Sequence, residues 1–271
     1  MILLTMLIDE NFRVLALWAG ALWSRRGYPA TPRPSQRAAT TAPEIGSKSP
    51  PKARGRDQPE IVTENVNYVR RDKEKIAGLV LAAGYSSRMG DFKPLLPFGD
   101  STVVERAAST FIKAGVYDVS VVVGWRANDL IPLLDRLGVQ AILNPQYGSG
   151  MYSSVIAGVR SLSPNTEAFL LLPGDYPLVK PRTVQKLIQR YLEGRAKIVN
   201  PRFSGRRGHP PLIAVSCIDR DSSFDQPAGL KAVLSRYGDE AVDVEVADQG
   251  ILMDVDTPED YQRALETLTK G

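Results

Sequence analysis

The sequence contains few of the residues that build redox and metal centres. Its 271 residues include one cysteine, Cys217, and one histidine, His209. A single cysteine excludes an internal disulfide and a cysteine-based metal cluster, and a single histidine excludes a three-histidine zinc site. Cys217 lies in an apolar run, where a thiol acts as a small hydrophobic side chain. This composition fits a reducing compartment, and we expect a cytoplasmic protein.

The sequence also lacks a hydrophobic run of the roughly 20 residues that cross a bilayer. Two short apolar runs before Trp23 are split by charged residues between Asp9 and Arg13. A secretory signal carries its positive charges ahead of the apolar core, whereas Arg25 and Arg26 follow it. Neither a membrane contact nor secretion is therefore predicted.

The positive charge of the chain is confined to its first part. Residues 1–75 carry 13 Lys and Arg against 8 Asp and Glu, a net of +5, whereas the remainder carries 21 against 22, a net of −1. The net positive charge of the whole chain therefore gives no argument for nucleic acid binding. Because residues 30–59 are rich in Pro, Ser, Thr and Ala, we expect residues 1–75 to form a disordered or accessory extension and residues 76–271 to form the folded domain.

From Ile76 onward, short apolar runs alternate with segments of helical periodicity. Strands are predicted at 76–82, 119–123, 139–143, 168–172 and 197–200, and helices at 102–114, 127–137, 151–162 and 181–192. This alternation predicts an α/β fold with a doubly wound, mostly parallel sheet covered by helices on both faces. After Pro201 the pattern loosens. We expect 204–218 to form a small β-hairpin outside the main winding, as a lid or substrate subregion, and 251–253 to form a short strand.

The loop that follows the first strand has the character of a phosphate-binding site. The strand ends in Leu81, Ala82, Ala83 and Gly84, and the loop then carries Arg88 and Lys93. Small residues let a ligand lie against main-chain N–H groups, and open α/β sheets bind ligands at the carboxyl ends of their strands. Lys93 is followed by Pro94, which excludes a P-loop, and the glycine spacing excludes the dinucleotide fingerprint. An ordinary connection carrying solvated charges remains the alternative.

The segment L-A-A-G-x-S-x-R-M-G-x-x-K resembles the signature of the nucleotidyltransferases related to the molybdenum cofactor guanylyl- and cytidylyltransferases. The resemblance extends from Ile76 to about Leu268 and implies a Rossmann-like nucleotidyltransferase fold. It implies that Arg88 and Lys93 contact the triphosphate and act in catalysis, while Leu81 to Gly84 meet the base and sugar. Cytidylyl enzymes of this family read L-A-A-G where guanylyl enzymes read L-A-G-G, so CTP is the expected nucleotide.

Two acidic turns are candidates for a metal site. Asp175 follows the fourth predicted strand, where a carboxylate reaches the ligand crevice, and Mg²⁺ is usually held by one or two carboxylates together with phosphate oxygens. Asp254 and Asp256 lie in D-x-D-T-P-E-D, which the family shares, and the resemblance favours Asp256 as the second Mg²⁺ ligand. Backbone bonding by Asp175, and a helix start at Thr257, are the alternatives.

Two further segments resemble the cytidylyl branch. The N-P…G-M-x-S-S segment places Ser153 at a helix start, where it would contact the nucleotide or simply cap the helix. The R-G-H-P segment contains Arg207 and His209, which we expect to bind the acceptor because guanidinium groups suit phosphate-bearing molecules.

The resemblance implies transfer of CMP from CTP to the terminal phosphate of molybdopterin, with release of pyrophosphate. It also implies contact with a molybdenum hydroxylase apo-enzyme that would receive the product. Two alternatives stay open: a nucleotidyltransferase for a sugar or polyol phosphate, and a non-catalytic molybdenum cofactor chaperone.

Overall fold

The computed structural model describes residues 75–194, 196–220 and 229–270, all of which belong to one compact unit. The extension predicted at residues 1–75 lies outside this range except for Lys75. Within the described residues, no helix has the length and hydropathy needed to cross a membrane.

Ten strands and six α-helices make up this part of the chain. The strands are β1 (Ile76–Ala82), β2 (Pro97–Phe98), β3 (Ser101–Thr102), β4 (Asp118–Val123), β5 (Gln140–Leu143), β6 (Ala168–Pro173), β7 (Ile198–Phe203), β8 (Arg206–Arg207), β9 (Leu212–Ala214) and β10 (Ala241–Glu245). The helices are α1 (Val103–Ala114), α2 (Ala127–Leu137), α3 (Met151–Ser161), α4 (Pro181–Glu193), α5 (Gly229–Ser235) and α6 (Pro258–Lys270).

The main sheet is mostly parallel, which confirms the predicted fold class. Its strand order is β10-β7-β9-β6-β1-β4-β5, with β8 paired to β7. β1 lies at the centre, parallel to β4 and β6, because it is an apolar run buried on both faces. The ligand-binding edge of such a sheet is formed by the carboxyl ends of its parallel strands.

The segment 204–218 corrects one expectation. A hairpin does form, between β7 and β8, but β9 lies inside the sheet, antiparallel to both β6 and β7. Leu212–Ala214 is therefore not part of an external lid. The predicted strand at 251–253 was also wrong, because the residues Gln249–Leu252 form a 3-10 turn. The backbone is so tightly packed there that a side chain on Gly250 would meet the carbonyl oxygen of Leu178.

Helices cover both faces of the sheet. On one face α1, α2 and α4 bury Phe111, Leu134 and Leu187 against the strands, and on the other α3 packs Ile156 against Phe169. Each of these side chains is almost fully removed from water, which contributes about 1.5–3 kcal/mol per side chain. The sheet is thus held rigidly from both sides, and its loops at the carboxyl edge carry the polar residues.

Candidate active site

A cavity of about 470 Å³ opens at the carboxyl end of β1. Its floor is made by Leu81, Ala82, Ala83 and Gly84, the residues predicted to meet the nucleotide. The neighbouring strand approaches closely, because the N–H of Gly174 donates to the carbonyl of Leu81 at 2.8 Å. A Cβ on Gly174 would lie 3.0 Å from that same oxygen, so only glycine fits without a shift. The small residues therefore expose main chain to the cavity.

The loop after β1 is held in shape by its own serine. Ser86 adopts a positive φ of 57°, and its hydroxyl accepts a hydrogen bond of 3.2 Å from the N–H of Lys93. This bond closes the loop across seven residues, and the Lys93 side chain reaches Asp175, which lines the cavity. Arg88, at the outer side of the loop, is 74% exposed.

Both acidic turns meet at Lys93. Its ammonium donates to Asp175 Oδ2 at 3.0 Å and to Asp256 Oδ1 at 2.7 Å. The other oxygen of Asp256 accepts from Arg88 at 2.5 Å. The N–H of Val255 donates to the carbonyl of Asp175 at 2.9 Å, which ties the two turns together through the backbone. The structure thus brings together four of the residues singled out from the sequence.

The charges of this cluster perturb one another. Burial lowers the pKa of Lys93, but the hydrogen bonds and charges of Asp256 and Asp175 outweigh it, so the pKa is raised above its ordinary value. The hydrogen bond from Lys93 lowers the pKa of Asp256. Burial, followed by the neighbouring carboxylates, raises the pKa of Asp254. Lys93 and Asp256 are therefore charged together over a wide pH range.

Asp175 retains one unused acceptor. Its Oδ1 is buried and no donor among the described residues reaches it. A buried carboxylate oxygen without a partner is costly, unless a cation or a hydrogen-bond donor completes it. No cluster of three or more His, Cys, Asp or Glu suited to a metal occurs in the described part of the chain. Any cation at Asp175 would thus take most of its ligands from a substrate or water.

An aromatic edge beside the cavity was missed in the sequence. The ring of Tyr85 lies 5.6 Å from that of Trp125 and 5.4 Å from that of Tyr147, measured between centroids. Tyr85 and Trp125 are 55% and 42% exposed, and Tyr85 and Tyr147 line the cavity. The three residues follow β1, β4 and β5, so the rule that parallel strands end at one edge could have found them.

Ser153 is buried and does not line the cavity. Its hydroxyl is fully buried, lies 2.9 Å from the carbonyl of Gln146 and 2.8 Å from that of Gly150, and accepts from the Asn144 amide at 2.9 Å. These bonds anchor the connection between β5 and α3. The next residue, Ser154, lines the cavity. Nucleotide contact by Ser153 remains a prediction, and the geometry favours an anchoring role.

The two predicted acceptor residues contact different partners. The Arg207 guanidinium pairs with Asp243 of β10 at 2.7 Å. The ring of His209 lies 4.8 Å from that of Tyr176, the residue after Asp175. Burial lowers the pKa of His209, although the Asp175 charge acts in the opposite direction. His209 is therefore a neutral ring beside the acidic cluster at neutral pH.

Solved structures share this fold. A homologue of the Mycobacterium tuberculosis protein Rv0371c, from Mycobacterium sp. strain JC1, is 28% identical and covers 73% of this chain and 98% of its own, with a TM-score of 0.61. Rv0371c itself, in a complex with manganese, is 26% identical over 71% of this chain and 98% of its own, with a TM-score of 0.55.

Curated proteins extend the comparison. Molybdenum cofactor cytidylyltransferase of Escherichia coli K12 is 28% identical over 71% of this chain and 96% of its own length. Nicotine blue oxidoreductase of Paenarthrobacter nicotinovorans is 31% identical over 70% of this chain and 96% of its own. The family model described as the MobA-like NTP transferase domain matches residues 78–242. The chain therefore belongs to the family of MobA-like NTP transferase domains.

Proposed function

We propose that this protein is a divalent-metal-dependent cytidylyltransferase that transfers CMP from CTP to the terminal phosphate of a molybdopterin-type acceptor. The observation that carries the proposal is the position of the Lys93 ammonium between Asp175 and Asp256 at the rim of the β1 cavity. Nucleotidyl transfer needs positive charge for a polyphosphate and carboxylates for its cation at one point, and this cluster supplies both.

The reaction needs positioning more than proton transfer. An oxygen of the acceptor phosphate forms a bond to the α-phosphorus of CTP, the bond from that phosphorus to its β-bridging oxygen breaks, and pyrophosphate leaves with the electron pair. The acceptor phosphate is already an anion, so no general base is required. Lys93 and Arg88 supply the positive charge that pyrophosphate needs as it departs.

The residues present fit a divalent cation. Asp175 Oδ1 is a buried acceptor with no donor among the described residues, and Asp256 offers a second carboxylate. Two carboxylates leave several positions for phosphate oxygens and water, which is the coordination that Mg²⁺ prefers. When bound, such an ion neutralises charge on the phosphates. Because one structural relative was solved with manganese, both Mg²⁺ and Mn²⁺ belong in the assay.

The nucleotide is assigned to the cavity and the acceptor to the side of His209. Leu81 to Gly84 would face the base and sugar, with Tyr85 and Tyr147 as aromatic walls. The choice of CTP rests on L-A-A-G and on the similarity to the Escherichia coli cytidylyltransferase. On the other side of Asp175, the neutral ring of His209 would contact the acceptor, and Arg207 would exchange Asp243 for an acceptor phosphate.

The test is pyrophosphate release from a panel of nucleoside triphosphates with Mg²⁺ or Mn²⁺ and molybdopterin. We expect release from CTP, and a loss of about 100-fold or more in Asp175→Asn. Asp135→Asn, at an exposed residue of α2, is the matched control and should retain full activity.

Three outcomes would redirect the proposal. Turnover only with a sugar or polyol phosphate would change the acceptor. Binding of molybdopterin with no release from any triphosphate would indicate a chaperone. A redox reaction of nicotine blue without pyrophosphate release would favour the activity named for the Paenarthrobacter relative.

A further inference from the structure

A second cavity, of about 450 Å³, lies between α1, the end of α6 and two connecting segments. None of its lining residues lines the β1 cavity. Its walls carry four basic side chains, contributed by Arg106, Lys113, Lys180 and Lys270. Cavities of this volume are in the range that holds small molecules, and a concave site is too small for a nucleic acid duplex or a folded partner.

The basic side chains of this second cavity lack strong counter-charges. Lys113 and Lys180 make no ion pair within the described residues, and both are exposed. Arg106 lies 4.0 Å from Asp100, a side chain that is 93% exposed, and Lys270 lies 3.9 Å from the exposed Glu266. Exposed pairs at such distances contribute little, so these two pairs leave the charge of Arg106 and Lys270 largely uncompensated.

The one acid in the cavity wall is already used by the fold. Asp248 is buried, and its Oδ2 accepts from the N–H of Lys180 at 2.8 Å and from Thr183 Oγ1 at 2.6 Å. Its Oδ1 accepts from the N–H of Gly250 at 3.0 Å. These neutral donors hold the carboxylate in place and leave its charge, so the cavity wall carries four basic side chains against one acid.

We infer that this second cavity is a binding site for a small phosphate-bearing anion, separate from the nucleotidyl-transfer site. A phosphate group would accept hydrogen bonds from the Arg106 guanidinium and from the lysine ammonium groups, which are the usual partners of phosphate oxygens. The hydroxyl of Ser109, which has no hydrogen-bond partner among the described residues, is a further donor at the wall. The basic side chains select for the phosphate group, and the remaining volume of the cavity accommodates a small organic group attached to it.

The test is backbone amide NMR of the full chain, titrated without divalent cations. Inorganic phosphate, pyrophosphate and AMP are the three probes, and their relative affinities distinguish free from organic phosphate. We expect saturable shifts at Ser109, Lys113 and Gln249, which line the second cavity. In the double variant Lys113→Gln and Lys180→Gln, the affinity for phosphate that these amide shifts report should fall by about tenfold or more. A tenfold fall corresponds to the loss of one charge-assisted hydrogen bond.

The matched control is the double variant Lys186→Gln and Lys231→Gln, which removes the same charge from exposed lysines outside the cavity. It should bind like the wild type. The inference is overturned if both double variants lose affinity equally, if shifts are confined to the loop at residues 84–93, or if no saturable shift occurs at the second cavity. Both double variants should fold, because all four lysines are exposed. Thermal unfolding of each variant checks this.

Discussion

Replacing Lys93 by methionine should strengthen metal binding while slowing turnover. Methionine keeps an unbranched side chain but removes the ammonium, which donates to Asp175 at 3.0 Å and to Asp256 at 2.7 Å and is only 14% exposed. In the wild type, a cation must compete with that ammonium for the two carboxylates. In Lys93→Met the competitor is gone, but so is the positive charge for the leaving pyrophosphate.

The magnitudes follow from the contacts. Each hydrogen bond to a charged group contributes about 1.5–3 kcal/mol, so recovering roughly one of the two tightens metal binding about tenfold. At saturating metal, this adds about 1.4 kcal/mol to the stabilisation by bound ion, or about 3–6 °C in Tm for a domain of about 200 residues. Loss of a positioned donor to the leaving group should lower kcat by about 100- to 1000-fold.

Two assays test the pair of effects. Thermal unfolding with and without Mn²⁺ gives the metal-dependent rise in Tm, and pyrophosphate release gives kcat. Lys186→Met, on the exposed side of α4, is the control and should match the wild type in both. Equal metal-dependent shifts in wild type and Lys93→Met, or a kcat within about threefold of wild type, would refute the competition argument.

Three other changes have expected outcomes. Asp256→Asn should lower Tm at pH 7, because folding lowers the pKa of Asp256 from its ordinary 3.8 and raises that of Lys93 from its ordinary 10.5. The attraction between the two charges therefore stabilises the fold fully between pH 3.8 and pH 10.5. The Tm difference from wild type should shrink below pH 3.8 and again above pH 10.5. Tyr85→Ala should raise KM for CTP by about fivefold or more, because the base loses its stacking partner. Tyr117→Ala is the control and should leave KM unchanged, since Tyr117 is 68% exposed and lies outside the cavity. Equal KM values in the two variants would place the base elsewhere. A chain shortened to begin at Asp72 should release pyrophosphate at the wild-type rate, and an inactive but folded product would show that the extension takes part in the reaction.

The sequence predicted the features that depend on local pattern. A carboxylate that follows a buried strand is expected at the ligand edge, and the structure places Asp175 there beside Lys93. The helix predicted at 102–114 is α1, which the structure begins at Val103 after a capping box between Thr102 and Glu105. Strands β1 and β4 were recognisable because central parallel strands are continuous apolar runs.

Features that depend on distant pairing were not predictable in the same way. β9 has three residues, and its place between β6 and β7 is decided by antiparallel pairing with strands that precede it in the chain. A segment of that length carries no periodicity of its own. Likewise, Ser153 has a sequence context that suits both ligand contact and anchoring, and only the three hydrogen-bond partners of its buried hydroxyl distinguish the two.

The two acidic turns are joined at both ends before any ligand arrives. At the cavity, the N–H of Val255 donates to the carbonyl of Asp175, and at the far end Asp248 binds the N–H of Lys180. Residues 175–180 and 248–256 therefore form one braced unit, whose two carboxylates cannot separate without breaking these hydrogen bonds. Because transfer between phosphates depends on position and charge, a rigid carboxylate pair facing a single ammonium is the arrangement that such a reaction needs. The second, basic cavity uses the back of that same unit as its wall, so an anion bound there would contact the segment that holds Asp175.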